Sequence, residues 1–313
     1  MVNRELIRLK VVQIVYSYYK NGLEEKGAQG IMASEKELIF SLDKAYELYQ
    51  GMLALLLEVR RIAIDDVEQR IIRNKQLGQK EPVDTRLADN RLLDMLATNE
   101  QLLEFREKNN QMWIEDEEMI KTLYRNFVQS SDYEEYLDSE DSFKSDKEAI
   151  RKFYRSIICG NDAIAAALED KSIYWNDDSF IVDTFVLKTI KLFQENSTPD
   201  MPLLPKYEHT EDLEYAVKLH RHTIENAEYY RSLIRENAKG WDMNRIALID
   251  TVIIQTGLAE IISFPTIPTA VSINEYINIS KMYSTPRNYT YVNAALDNIS
   301  KQLTKEHKLI NKK

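Results

Sequence analysis

The sequence contains few of the residues that end strands and build tight turns. Its 313 residues include only 8 glycines and 7 prolines, whereas a protein of many short strands needs such residues at its turns. We therefore predict an all-α protein. The single cysteine, Cys159, excludes a disulfide within the chain and a cysteine-built metal site. Both exclusions favour a reducing compartment.

Long apolar runs are also missing. No stretch approaches the length that crosses a bilayer, and the first ten residues already carry Arg4, Glu5 and Arg8. The sequence therefore predicts a protein without a signal peptide or a membrane segment, and we expect it in the cytoplasm.

Positive charge is scarce over the whole chain but is concentrated at its two ends. The formal net charge of −10 argues against a protein that coats nucleic acid indiscriminately. The basic residues are Arg4, Arg8, Lys10 and Lys20 near the N-terminus and Lys301, Lys305, Lys308, Lys312 and Lys313 in the tail. This layout favours a focused anion site if the two ends meet in space.

Apolar residues at helical spacing predict two helices in the N-terminal part of the chain. The first covers residues 4–20. The second covers residues 34–64, and the spacing of Ser34 and Glu37 predicts a capping box that opens it.

The C-terminal part has the same periodicity. It predicts a central, largely buried helix over residues 243–262, a second helix over 273–283 and a third that begins at Pro286. Ser272 and Glu275 have capping-box spacing at the start of the second of these helices.

The intervening residues, 65–205, have enough apolar residues to pack rather than hang loose. We expect loops at 70–84 and 196–205 and an exposed acidic linker at 132–146. The predicted helices of this segment are 91–108, 116–130, 145–159, 162–168 and 178–194.

Residues for catalysis or metal binding are few. His220 and His222 are two residues apart on a helix, so they cannot form the zinc pair that needs one helical turn. No glycine-rich phosphate loop is present. We therefore expect no enzyme activity, no cofactor and no metal.

Several short elements near the C-terminus resemble one known family. They are Trp241-Asp-Met-Asn-Arg245, Ile249-Asp250, Leu258-Ala-Glu260, Ile267-Pro268, Ser272-Ile-Asn-Glu275, Ser280-Lys281 and Tyr291-Val-Asn-Ala-Ala-Leu-Asp297. In this order and spacing they resemble the C-terminal half of the transcription antitermination factor NusB. Gln13-Ile-Val-Tyr16 is similar to an element near the start of that family. The chain departs from the pattern at Ala294, where the family has glycine, and at Thr251, where it has arginine.

The resemblance implies a NusB-like all-α fold of two helical subdomains, 1–64 and 206–313, with a large helical insertion at 65–205. It also implies a non-catalytic, RNA-binding transcription antitermination factor. Such a factor binds a single-stranded boxA element of ribosomal RNA transcripts together with NusE, a small-subunit ribosomal protein, and acts on the RNA polymerase elongation complex.

On the same basis we predict two sets of binding residues. The RNA-binding set is Arg4, Arg8, Lys10, Tyr16, Tyr283, Arg287, Tyr291 and Asn293, with charges on phosphates and rings on bases. The partner-binding set is Asp250, Glu260, Asn274 and Glu275.

Ordinary structural roles remain open for these residues. The first helix could be a plain amphipathic helix with solvated charges, Asn274 and Glu275 could serve only as caps, and Trp241 could anchor the core. Two other functions also stay open. One is a helical adaptor that binds protein and no RNA. The other is a stand-alone relative of the RNA-binding domain of a ribosomal RNA methyltransferase, although the α/β catalytic domain of such an enzyme is absent from this sequence.

Overall fold

The protein is all-α in the computed structural model, which describes residues 1–237, 246–285, 288–306 and 309. These residues form fourteen α-helices and no extended strand, so the predicted fold class is confirmed. The helices are α1 (Arg4–Lys20), α2 (Ala28–Leu77), α3 (Arg91–Thr98), α4 (Glu100–Lys108), α5 (Glu117–Val128), α6 (Ser131–Asp138), α7 (Phe143–Phe153), α8 (Asp162–Lys171), α9 (Ser179–Leu192), α10 (Asp212–Glu225), α11 (Ala227–Asn237), α12 (Leu248–Ser263), α13 (Thr269–Tyr283) and α14 (Asn288–Lys305). No helix in the described part of the chain has both the length and the apolarity that a bilayer span requires.

The chain divides into two units. We call Val2–Asp43 with Tyr207–Lys313 the terminal unit, and Met1 with Lys44–Lys206 the central unit. The division falls inside α2, which continues without a break past residue 64. The three segments expected from the sequence, 1–64, 65–205 and 206–313, remain a proposal about how the chain folds.

Helix α12 is the centre of the terminal unit. It is buried along almost its whole length, and α1, α10, α11, α13 and α14 all pack against it. Gly257 permits the close approach of its neighbours, because a Cβ atom there would meet Leu296 at 3.0 Å and Tyr276 at 3.1 Å. The sequence therefore predicted this central helix and its end, but the helix begins only at Leu248. Residues 243–245 and Trp241 lie outside the described residues.

Both predicted capping boxes of the terminal unit are wrong. Helix α2 begins at Ala28 and α13 at Thr269, so Ser34 and Ser272 lie inside their helices. Their hydroxyls have tertiary partners instead. Ser34 Oγ lies 2.7 Å from Nε2 of His220, and Ser272 Oγ donates to Glu260 at 2.6 Å. Tertiary hydrogen bonds have replaced the local caps that the spacing indicated.

The central unit contains the second part of α2 and the helices α3 to α9. Its helices lie close to the predicted ones, except that α2 extends to Leu77 into the predicted loop and that Asn99 separates α3 from α4. The predicted exposed linker at 132–146 is also wrong. Tyr133 and Tyr136 are buried in α6, and Tyr136 donates a hydrogen bond of 2.7 Å to the buried carboxylate of Asp146. The tyrosines anchor an otherwise acidic segment.

A second carboxylate, Asp183, is buried in the central unit beside the chain's single cysteine. Tyr154 donates to Asp183 over 2.7 Å, and a π-helical turn, Tyr154–Ile158, brings Cys159 next to the same carboxylate. Burial raises the pKa of Cys159 to about 12, and the neighbouring Asp183 adds to this shift. The thiol therefore stays protonated, as expected of a structural cysteine.

Candidate nucleic-acid interface

A buried ion pair joins the first helix of the terminal unit to its C-terminal helices. Arg8 of α1 donates to Glu260 of α12 through Nε at 2.8 Å and through Nη2 at 3.0 Å. Three hydroxyl groups complete the shell of the Glu260 carboxylate: Ser272 at 2.6 Å, Tyr276 at 3.2 Å and Tyr215. Such a bidentate, fully hydrogen-bonded pair fixes the geometry of the groups that surround it.

The protonation states within this network follow from burial and charge. Burial alone would lower the pKa of Arg8, but the hydrogen bonds to Glu260 and the electrostatic interactions with Tyr215, Glu260 and Tyr276 together outweigh it, and the pKa rises above its ordinary value. Burial, together with the negative charge of Glu260, raises the pKa of Tyr215 and Tyr276 well above the usual range. Both tyrosines therefore remain donors to the carboxylate.

The basic residues of α1 are not spread along one exposed face. Arg8 and Lys10 are 5% and 1% exposed, so their charged groups are not available to phosphates in this arrangement. Arg4 is exposed, but its guanidinium lies 5.0 Å from the centre of the Tyr215 ring and 3.7 Å from Asp212. The four-residue spacing of Arg4 and Arg8 does not give them a common solvent face, because Glu260 holds Arg8 inside.

The other half of α1 meets the end of α13. Gln13 donates to the hydroxyl of Tyr283 over 2.7 Å, which joins residues 270 positions apart in the chain. Tyr16 lies one turn after Gln13 on α1 and is half-buried, with the ammonium of Lys20 5.7 Å from its ring centre. Two sequence-predicted aromatic residues, Tyr16 and Tyr283, thus lie on helices that contact each other.

Lys281 and Tyr289 were missed by sequence reasoning. The ammonium of Lys281 lies 5.4 Å from the ring centre of Tyr289, and both side chains are exposed. A signal was present, since Lys281 belongs to the Ser280-Lys281 element and Tyr289 lies at the start of the third predicted C-terminal helix. We define the α1–α13 surface as Gln13, Tyr16, Lys20, Lys281, Tyr283 and Tyr289.

The remaining predicted RNA-binding residues differ in position. Tyr291 is 6% exposed, and burial raises its pKa to about 12, so its ring does not offer a face for stacking. Asn293 is exposed on α14. Arg287 lies outside the described residues.

The predicted partner-binding residues also separate into two groups. Glu260 is fully buried in the ion pair, and Asp250 is 1% exposed and accepts a hydrogen bond of 2.7 Å from Asn288. Neither can meet a partner directly in this arrangement. Asn274 is exposed, and Glu275 is half-buried with a carboxylate oxygen 3.7 Å from Nη1 of Arg8.

The histidines of α10 have structural partners. His220 is buried and forms a hydrogen bond with Ser34, and burial lowers the pKa of His220 to about 4. Nδ1 of His222 lies 2.9 Å from the hydroxyl of Ser263. Within the described part of the chain, no group of three or more histidine, cysteine or acidic side chains is arranged to hold a metal ion.

Comparison with known proteins finds similarity in the C-terminal part of the chain. Residues 186–301 match the NusB family model. The transcription antitermination protein NusB of Salinibacter ruber is 37% identical over 86 residues, which are 28% of this chain and 54% of that protein. The protein of the same name from Finegoldia magna is 32% identical over 29% of this chain and 66% of its own length. The protein of the same name from Geotalea daltonii is 28% identical over 42% of this chain and 89% of its own length. No solved structure matches.

The terminal unit is thus an all-α domain whose first helix is held to its C-terminal helices by a buried ion pair. Through the match at residues 186–301, the chain carries a NusB family domain. It spans about half of the length of the first of these relatives and about two thirds of the second. Residues 44–185 of the central unit lie outside the match to the family model.

Proposed function

We propose that this protein is a transcription antitermination factor whose terminal unit binds single-stranded, boxA-like RNA of ribosomal RNA transcripts. The observation that carries the proposal is the hydrogen bond between Gln13 and Tyr283. It brings together two segments from opposite ends of the chain that the family resemblance independently associates with RNA. The NusB names of the relatives support the same role.

The chemistry of the α1–α13 surface suits single-stranded RNA. Its tyrosine rings can stack on unpaired bases, a contact worth about 1–3 kcal/mol for each base. Lys20 and Lys281 are exposed and can neutralise phosphates. Arg4 and Asn293 remain candidates for peripheral contacts, because both are exposed. Arg8, Lys10 and Tyr291 support the surface from within instead of touching the RNA.

We further propose that NusE completes the site in the RNA polymerase elongation complex. An acidic protein with few exposed cations on its RNA surface gains little binding energy from phosphates alone. A basic ribosomal protein bound beside the RNA would supply the missing charge. Asn274 and Glu275 of α13 are the candidates for the face that meets it, while Asp250 and Glu260 act only by holding the helices in place.

Titration of labelled RNA tests the proposal. We expect tighter binding of boxA-like than of scrambled RNA, and a further gain when NusE is added. Tyr283→Ala should cost on the order of 1–3 kcal/mol with little change in salt dependence. Lys20→Glu should weaken binding to all sequences and lower the salt slope by about 0.7.

A matched control is available on another helix of the same unit. Lys218 of α10 is exposed and lies 5.5 Å from the ring centre of Phe264, a contact like that of Lys20 with Tyr16. Lys218→Glu should leave RNA binding unchanged. If the protein binds no RNA with or without NusE, it is a helical adaptor and the proposal is wrong. Equal losses with Lys20→Glu and Lys218→Glu would place the RNA on a different surface.

A further inference from the structure

Helix α2 continues beyond the packed core of the central unit. The carboxylate of Asp66 still accepts a hydrogen bond of 2.7 Å from Tyr124, but most side chains between there and Leu77 are exposed. Ile64, Ile71 and Ile72 expose 36%, 50% and 57% of their surface. Residues spaced by seven and eight lie along one helix face. The end of α2 therefore presents an apolar stripe to solvent, a feature that marks contact surfaces.

Two exposed charges flank Ile71 and Ile72 symmetrically. Glu68 lies three residues before Ile71, and Lys75 lies three residues after Ile72. They share the face of the stripe but are about 10 Å apart along the helix, too far to pair with each other. Neither forms an ion pair within the described part of the chain. Their opposite charges are therefore available to an external partner.

We propose that two copies of this chain associate through residues 64–77 of α2, paired antiparallel. In a pair centred between Ile71 and Ile72, Ile71 of each copy faces Ile72 of the other. The same twofold axis brings Glu68 of each copy opposite Lys75 of the other. The surface is thus complementary to itself in both apolar contact and charge, which is the requirement of a twofold interface.

The symmetry of the charges selects a second copy over other occupants. An RNA would need only positive charge beside the stripe, whereas self-pairing needs both signs at equal distances from the centre, as Glu68 and Lys75 provide. The paired segment is short, so the interface is small and the dimer weak. Its population should rise with protein concentration.

Sedimentation velocity over a range of concentrations tests the proposal. The protein should change from monomer to dimer as concentration increases. Glu68→Lys or Lys75→Glu alone places like charges opposite each other twice, and should raise the dissociation constant about tenfold or more. The double variant, Glu68→Lys with Lys75→Glu, restores both pairs in reverse and should dimerise like the original protein.

Two further variants control for the fold and the face. Ile71→Asp should abolish association. Arg73 lies two residues after Ile71, on the opposite face of α2. Arg73→Glu should therefore not change association. All four substituted positions are exposed, so circular dichroism should show the same helix content in every variant. A protein that stays monomeric at every concentration overturns the proposal and leaves the stripe to another protein or to RNA. Dimerisation that the double variant fails to restore also overturns it.

Discussion

Two buried carboxylates, Glu260 in the terminal unit and Asp183 in the central unit, are held in different ways. In the terminal unit Glu260 is paired with the guanidinium of Arg8 and with three hydroxyls. In the central unit Asp183 accepts from the hydroxyl of Tyr154 and from the thiol of Cys159, and no described cation pairs with it. Burial therefore raises the pKa of Asp183 although both hydrogen bonds oppose the shift. The charge of Glu260 is balanced by a cation, whereas Asp183 is an acid whose protonated form is favoured by burial.

The largest effect should come from breaking the balanced pair. Arg8→Met leaves Glu260 buried without a countercharge and should lower the free energy of unfolding by about 3–5 kcal/mol. Adding Glu260→Gln removes that charge and should recover a large part of the loss. Denaturant titration of the two single variants and the double variant measures the coupling.

An exposed pair in the central unit is the control for this prediction. Arg61 is half exposed and lies 3.0 Å from Glu58 and 3.2 Å from Asp65. Arg61→Met should cost less than about 1 kcal/mol, because water screens such pairs. An equally small loss for Arg8→Met would mean that the buried pair does not organise the terminal unit.

The second effect concerns acid. The pKa of His220 falls from 6.5 to about 4 on folding, so the unfolded chain binds more protons between these values. The contribution of neutral His220 is fully present above pH 6.5 and is lost as the pH falls toward 4. The loss should reach about 3 kcal/mol.

His220→Gln should remove this acid-dependent loss, which denaturant titrations at several pH values would detect. His209→Gln is the matched control, because His209 is exposed in the same unit. It should keep the pH dependence of the original protein. If His220→Gln also keeps it, the acid sensitivity has a different origin.

A smaller effect of opposite sign should come from Asp183. Because its pKa is raised in the folded state, the folded protein takes up a proton before the unfolded chain does. The destabilising effect of Asp183 on the folded state thus decreases as the pH falls through the folded-state pKa toward the ordinary value of 3.8. Asp183→Asn should change stability by about 1 kcal/mol at neutral pH. In acid, the free energy of unfolding of the original protein should rise relative to that of the variant. A constant difference between the two would show that Asp183 is not protonated there.

The smallest effects should come from two helical glycines. Alanine at Gly257 would meet Tyr276, whose hydroxyl is fixed on Glu260, whereas alanine at Gly51 would displace the flexible end of Met112. Alanine gains about 1 kcal/mol over glycine in helix propensity. Gly51→Ala should therefore be close to neutral, and Gly257→Ala should be destabilising by up to about 1 kcal/mol. Thermal unfolding of both variants compares them, and the reverse order would contradict the assigned packing.

Hydrophobic periodicity was sufficient to predict most helices, because the apolar residues of each buried helix face recur at a regular local spacing. Helix α1 covers the predicted residues 4–20. Local patterns failed where a distant residue took over a polar group. Ser34 and Ser272 looked like caps, but His220 and Glu260 bind their hydroxyls. Arg8 looked like a surface charge because its partner lies 252 residues away.

The state of Cys159 has a practical consequence for fluorescence work. The chain's single thiol is held protonated beside Asp183, so it reacts slowly with maleimide dyes at neutral pH. A cysteine introduced at Lys218 or Arg73, exposed positions outside both proposed interfaces, should therefore be labelled selectively in the native protein. The wild-type cysteine need not be replaced, and dyes at these two positions would follow the terminal and the central unit separately without blocking either interface.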